Sequence, residues 1–147
     1  MPIHPDLKIF IVDDDVFCLT LYAQFLKNLG YDNITSFNSG EECLTGLGEQ
    51  PALVFLDYNM EGMNGIEVLK RIKTFNPAIY VIIISGKGDA KVAAKAMEQH
   101  ALDYIIKSSL SPDKMANLMQ RVENMYTPKV KEAKKTFFEK VKAGLGI

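Results

Sequence analysis

Four short, nearly unbroken apolar runs punctuate the first 107 residues: Lys8–Val12, Ala52–Leu56, Ile79–Ile84 and Tyr104–Ile106. Rich in Ile, Val and Phe and closed by polar residues, they predict parallel strands covered on both faces. Asn33–Phe37 is more polar and reads as an edge strand. Helical patterns lie between. Val16–Leu29 sets Tyr22, Phe25, Leu26 and Leu29 on one stripe, with Gly30 as a stop. Ser39-Gly40-Glu41-Glu42 reads as a capping box opening a helix through Leu47. Gly65–Lys73 puts Ile66, Leu69 and Ile72 on one face ahead of Asn76-Pro77. Asp89–Gln99 is Ala-rich, and Ser111-Pro112 supplies an N-cap and a first-turn proline to a helix ending near Tyr126.

A strand–helix unit repeated five times predicts an α/β fold, a doubly wound parallel sheet joined by right-handed crossovers. Such sheets bind ligands beyond the carboxyl ends of the strands, where the strand order reverses.

Composition adds bounds. At 147 residues, 48% hydrophobic and 24% charged, the chain is expected to form one globular core rather than a disordered or fibrous structure. Cys18 and Cys43 stand far apart and there are two histidines, His4 and His100. That argues against a disulfide scaffold or a structural zinc, and both thiols are expected to be buried in a reducing compartment. The first residues carry no secretory pattern, and the longest apolar run is about seven residues, so a cytoplasmic protein is expected. The net charge of −1 gives no nucleic-acid footprint but hides an asymmetry. Residues 129–147 hold six lysines and two glutamates, net +4, which leaves residues 1–128 at −5.

The strand ends carry the chemistry. The first delivers Asp13, Asp14 and Asp15, the third Asp57 followed by Asn59, the fourth Ser85 and the fifth Lys107. Singly, each has a plain structural use: Asp15 caps a helix, Asp57 closes a turn, Ser85 ends a strand and Lys107 is solvated. Together, several carboxylates converging on one crevice repel one another unless a cation neutralises them. Oxygen ligands fit Mg²⁺, which often shares phosphate oxygens. With one lysine and one hydroxyl added, the site suits a phosphoryl group. No Gly-x-x-x-x-Gly-Lys-Ser/Thr loop holds a nucleotide, so the acceptor is a carboxylate within the site.

Four stretches then carry a resemblance: Ile9-Phe10-Ile11-Val12-Asp13-Asp14-Asp15, Leu56-Asp57-Tyr58-Asn59-Met60-Glu61-Gly62-Met63-Asn64-Gly65, Ile83-Ile84-Ser85-Gly86 and Asp103-Tyr104-Ile105-Ile106-Lys107. Over about residues 7–126 the chain resembles a response-regulator receiver domain of two-component signalling, of the chemotaxis-regulator kind. The resemblance implies a flavodoxin-like five-stranded sheet of order 2-1-3-4-5. It implies that Asp57 is the phosphoacceptor, taking a phosphoryl group from a histidine kinase or phosphotransfer protein. Asp13, Asp14, Asp57 and the Asn59 backbone carbonyl would hold Mg²⁺, and Lys107 and Ser85 would contact the phosphoryl oxygens. Ser85 and Tyr104 would form the switch, changing the face built by helix four, strand five and helix five toward a downstream protein target. The domain is expected to catalyse only its own phosphorylation and dephosphorylation.

Three positions depart from the family pattern. Glu61 stands where proline is usual. Ser108 replaces the proline after the lysine, leaving the cis or trans state of that bond open. His100 occupies a usual glycine position and reads as a helix C-cap. Beyond residues 1–127, the receiver, residues 128–147 read as a basic amphipathic helix or linker. Val130, Ala133, Phe137, Val141 and Leu145 share a stripe there, with Phe138 alongside. The helix could dock on its own receiver, lead to a further domain or form a homodimer; DNA binding and membrane contact are not the expectation. Two alternatives stand beside the leading one. The first is a Mg²⁺-dependent phosphohydrolase with an aspartyl nucleophile, against which Asn59 replaces the second acid such enzymes carry. The second is the N-terminal fragment of a larger regulator.

Overall fold

Ile9–Val12, buried at all four positions, forms β1 in the computed structural model, which describes residues 2–128. The chain continues as α1 (Val16–Asn28), β2 (Ile34–Phe37), α2 (Gly40–Thr45), β3 (Leu53–Asp57), α3 (Gly65–Phe75), β4 (Tyr80–Ser85), α4 (Ala90–Glu98), β5 (Asp103–Ile106) and α5 (Pro112–Met125). All four strand pairings are parallel, and the order is β2-β1-β3-β4-β5, as predicted. The predicted C-terminal helix lies outside the described residues.

Local chemistry sets the helix ends. Asp15, Ser39 and Ser111 accept the N–H groups of Phe17, Glu42 and Lys114, so the expected caps of α1, α2 and α5 are in place. α2 stops at Thr45, earlier than expected, because Gly46 closes it, and Leu47–Glu49 turn separately as a 3₁₀ helix. α1 ends on Gly30 at φ 102°, where the Gly30 and Tyr31 N–H groups reach the carbonyls of Lys27 and Leu26. α4 closes in the same way on a residue that is not glycine. His100 sits at φ 68°, and the N–H groups of His100 and Ala101 reach Met97 and Ala96. The C-cap reading of His100 is met at the cost of a left-handed backbone. Lys107–Ser108 is trans and begins a 3₁₀ turn over Lys107–Ser109.

Alternation along the strands divides the apolar interior into two layers. Ile9, Ile11, Leu53, Phe55, Ile82 and Ile84 face α1 and α5, where Leu19, Tyr22, Leu26, Leu118 and Val122 meet them. Phe10, Val12, Val54, Leu56, Val81 and Ile83 face the other side, against Leu69 and Ile72 of α3 and Ala96 of α4. Glu123 is buried on α5. It accepts the Tyr31 hydroxyl at 2.9 Å and two nitrogens of His4, ring Nδ1 at 2.9 Å and the backbone N–H at 3.2 Å. The His4 ring stands edge-on to Tyr126, centroids 4.9 Å apart. These bonds tie the residues before β1 to the end of α5.

Candidate functional site

Register brings the polar strand ends together. Val12 pairs with Leu56, so the next residues, Asp13 and Asp57, face each other; Asp57 pairs with Ile84, and Ser85 pairs with Ile106, one residue before Lys107. Gly65 keeps α3 close to this point. A Cβ there would lie 2.7 Å from the Asp57 carbonyl oxygen and 2.8 Å from Tyr58 Cα, so the turn after β3 requires glycine.

Asp13 and Asp57 are 1% and 2% exposed, and Ser85 is also buried. Asp14 is exposed, yet carboxylate oxygens of Asp13, Asp14 and Asp57 all lie within 4.8 Å of one another. Lys107 Nζ reaches back over the sheet to Asp13 Oδ2 at 3.0 Å and Asp57 Oδ1 at 3.6 Å. Asp13 Oδ1 accepts the Asp15 N–H, and Asp57 Oδ1 accepts the Asn59 N–H. Oδ2 of Asp57 is buried without a hydrogen-bond partner, and Oδ2 of Asp13 meets only the Lys107 ammonium. A buried carboxylate oxygen left unpaired is costly, and a bound cation would relieve that cost. Three hard oxygen donors with an orphaned lone pair between them fit a divalent cation of the Mg²⁺ kind.

The charges are strained in the expected sense. Burial and then the neighbouring Asp13 carboxylate push the Asp57 carboxyl up to about 7, more than Lys107 and the Asn59 N–H pull it down. Partial burial works against the Lys107 ammonium, but its bond to Asp13 and the charges of Asp57 and Asp13 outweigh this and hold it above the usual lysine range.

Ser85 Oγ lies 2.9 Å from the Lys87 carbonyl and 3.4 Å from Asn59 Oδ1. Tyr104 is half-buried and outside the acid cluster; its hydroxyl donates to the Lys87 carbonyl at 2.9 Å and accepts the Asp89 N–H at 3.4 Å. Asp15 points away into its helix-capping bond. The sequence reading missed one neighbour. Cys18, expected to be buried, is only half-buried, with Sγ 3.8 Å from Lys107 Nζ and 3.6 Å from Asp15 Oδ2. Its position three residues after Asp15, in the first turn of a helix that opens at the site, was the available signal.

Comparison with known proteins agrees with this arrangement. The profile of the response regulator receiver domain matches residues 9–123. The transcriptional regulatory protein ZraR of Escherichia coli K12 is 40% identical over 105 residues, 71% of this chain and 24% of that protein. The C4-dicarboxylate transport regulatory protein DctD of Rhizobium meliloti is 31% identical over 79% of this chain and 25% of its own length. The chain thus spans about a quarter of the length of the curated relatives it matches. Among solved structures, the receiver domain of NtrX from Brucella abortus superimposes with a TM-score of 0.74 at 29% identity, covering 81% of this chain and all of that one. The BeF₃-activated DrrB receiver domain gives 0.72 at 29%, over 80% and 97%. With the sheet order, the strand-end acids, the lysine and the hydroxyl all in register, the chain belongs to the response regulator receiver domain family.

Proposed function

We propose that this domain accepts a phosphoryl group on Asp57 from a phosphohistidine of a histidine kinase or phosphotransfer protein, and signals through the resulting change of shape. One observation carries the reading: Asp57 Oδ2 is buried and unpartnered, with the carboxylates of Asp13 and Asp14 and the Lys107 ammonium gathered beside the same side chain. In the transfer, that oxygen forms a bond to phosphorus as the phosphorus–nitrogen bond of the donor breaks, and the imidazole leaves with the electron pair. Lys107 supplies positive charge to the equatorial oxygens, and the Ser85 hydroxyl turns from the Lys87 carbonyl to donate to one of them. Asp13, Asp14, Asp57 and the Asn59 carbonyl would hold Mg²⁺, whose chemistry when bound is to neutralise the acids and the incoming oxygens. Tyr104 follows Ser85, and the α4–β5–α5 face presents the change to a downstream protein.

Residues 1–127 are the receiver in this reading, and residues 128–147 a separate appendage. No helix among the described residues is long and apolar enough to cross a membrane, which supports a cytoplasmic place for the domain. It acts on no external substrate. Asn59, two residues after the acceptor, offers no carboxylic acid for the second half of a phosphohydrolase cycle. The relatives' greater length favours a second reading, in which this receiver is the amino-terminal part of a larger regulator; the intact mass of the native protein decides it.

Acetyl phosphate with Mg²⁺ tests the core of the proposal. One stable phosphoryl per chain, lost in Asp57→Asn and in EDTA, is expected. Multiple turnover of phosphomonoesters, or labelling that survives Asp57→Asn, would overturn it.

A further inference from the structure

At the opposite end of the sheet from Asp57, the amino ends of β3, β4 and β5 and the carboxyl ends of α3, α4 and α5 enclose a groove of about 610 Å³. Its walls include Pro77, Tyr80, Met97, Leu102, Met125 and Tyr126. Met97 and Met125 are 51% and 45% exposed, unusually open for unbranched apolar side chains. On its wall the Lys73 ammonium donates to the carbonyls of Pro77 and Ile79, which hold it against the backbone.

We propose that this groove is the docking site of the chain's own segment 129–147. Three observations point to that occupant rather than to a free partner. The first is position: Met125, Tyr126 and Thr127 form part of the wall, so residue 129 starts at the rim and the rest of the segment is tethered there. Tethering gives an effective concentration in the millimolar range, at which a weak contact is occupied. The second is direction: Tyr126 has left the helix at φ −73°, ψ 129°, and Pro128 cannot continue α5, so the described chain turns out of the helix axis at the groove wall. The third is chemistry. Val130, Phe137, Phe138, Val141 and Leu145 recur at helical spacing and need an apolar surface, which Pro77, Tyr80, Met97, Leu102 and Met125 offer. A 19-residue helix would be about 28 Å long, ample to cross three strand ends about 5 Å apart.

The test uses the full chain with ¹³C-labelled methionine methyls and a soluble paramagnetic probe. The methyls of Met97 and Met125 should be shielded, and Phe137→Asp/Phe138→Asp should open them to the probe. That shielding should not change on dilution. In a second measurement, Met97→Asp, a change at an exposed position, should speed tryptic cleavage after Lys134 and Lys135 by about ten-fold. Methyls equally accessible with and without the tail substitutions would overturn the proposal. So would shielding that disappears on dilution, the sign of a second copy, or shielding that arises only with anionic phosphatidylserine vesicles.

Discussion

The hydroxyls of Ser85 and Tyr104 donate to one acceptor, the carbonyl oxygen of Lys87, each at 2.9 Å. A carbonyl has two lone pairs and can serve both, so withdrawing one donor changes the hold of the other on the same loop. Ser85 is the residue the proposal asks to turn toward a phosphoryl group. Tyr104 also receives the Asp89 N–H at the start of α4, so loosening at Lys87 is felt at that helix.

Tyr104→Phe keeps the ring and removes both bonds. Acetyl phosphate labelling should stay close to the parent rate, because the ring lies outside the acid cluster. Amide exchange over Lys87–Asp89 should rise by about five-fold, in line with roughly 1 kcal/mol for a partly exposed hydrogen bond. Exchange measured by mass spectrometry checks this; an unchanged loop would uncouple Tyr104 from Ser85.

Lys107→Met separates holding the metal from reacting. The ammonium competes with any cation for Asp13 Oδ2, so the substitution should tighten Mg²⁺ binding. It should also slow labelling by about 100-fold, the scale for losing one electrostatic contact in the transition state. Titration calorimetry and labelling kinetics on the same preparation read the two effects, and loss of both together would contradict this division.

The raised Asp57 carboxyl makes stability without metal depend on pH in a set direction. Its folded value, about 7, exceeds the usual 3.8, so the folded state binds the proton more tightly than the unfolded state. The advantage is complete below about 3.8 and is lost as pH rises through 7. In EDTA, Asp57→Asn should therefore gain on the order of 2 kcal/mol over the parent at pH 8, and much less at pH 5. Urea denaturation at the two values tests it, and equal gains would refute the cause.

Glu123 predicts a loss instead. Glu123→Ala removes the shared acceptor of His4 and Tyr31 and strands the Tyr31 hydroxyl, at a cost of about 2–3 kcal/mol. Tyr31→Phe removes only one donor and should cost about 1 kcal/mol. Equal effects of the two changes in urea denaturation would mean that Glu123 is not the centre of this cluster.

The sheet was legible because its central strands are buried on both sides, leaving Ile82–Ile84 no polar position to blur the run. Caps were legible because Ser39, Asp15 and Ser111 each have one short-range use. The acids and their partners emerged from strand ends alone, since parallel register places Asp13 beside Asp57 without further information. Contacts made by long side chains across elements were not legible. Nothing in the spacing says that Lys107 reaches Asp13 in preference to Asp57, or that Cys18 lies against it. The His4–Glu123 bond joins residues 119 apart, and a glutamate on α5 reads as solvated until its surroundings are seen. Leu19, buried under α1, escaped the predicted stripe, while Phe25 and Leu29 within it are only partly covered.

Because the five strands keep the two apolar layers apart, the sheet works as a partition. Tyr104 packs only into the layer of α3 and α4, whereas α1, α5 and the His4–Glu123 tie belong to the other. A movement of Tyr104 is therefore felt on the α3–α4 side of this partition, with the His4–Glu123 tie behind the screen of strands.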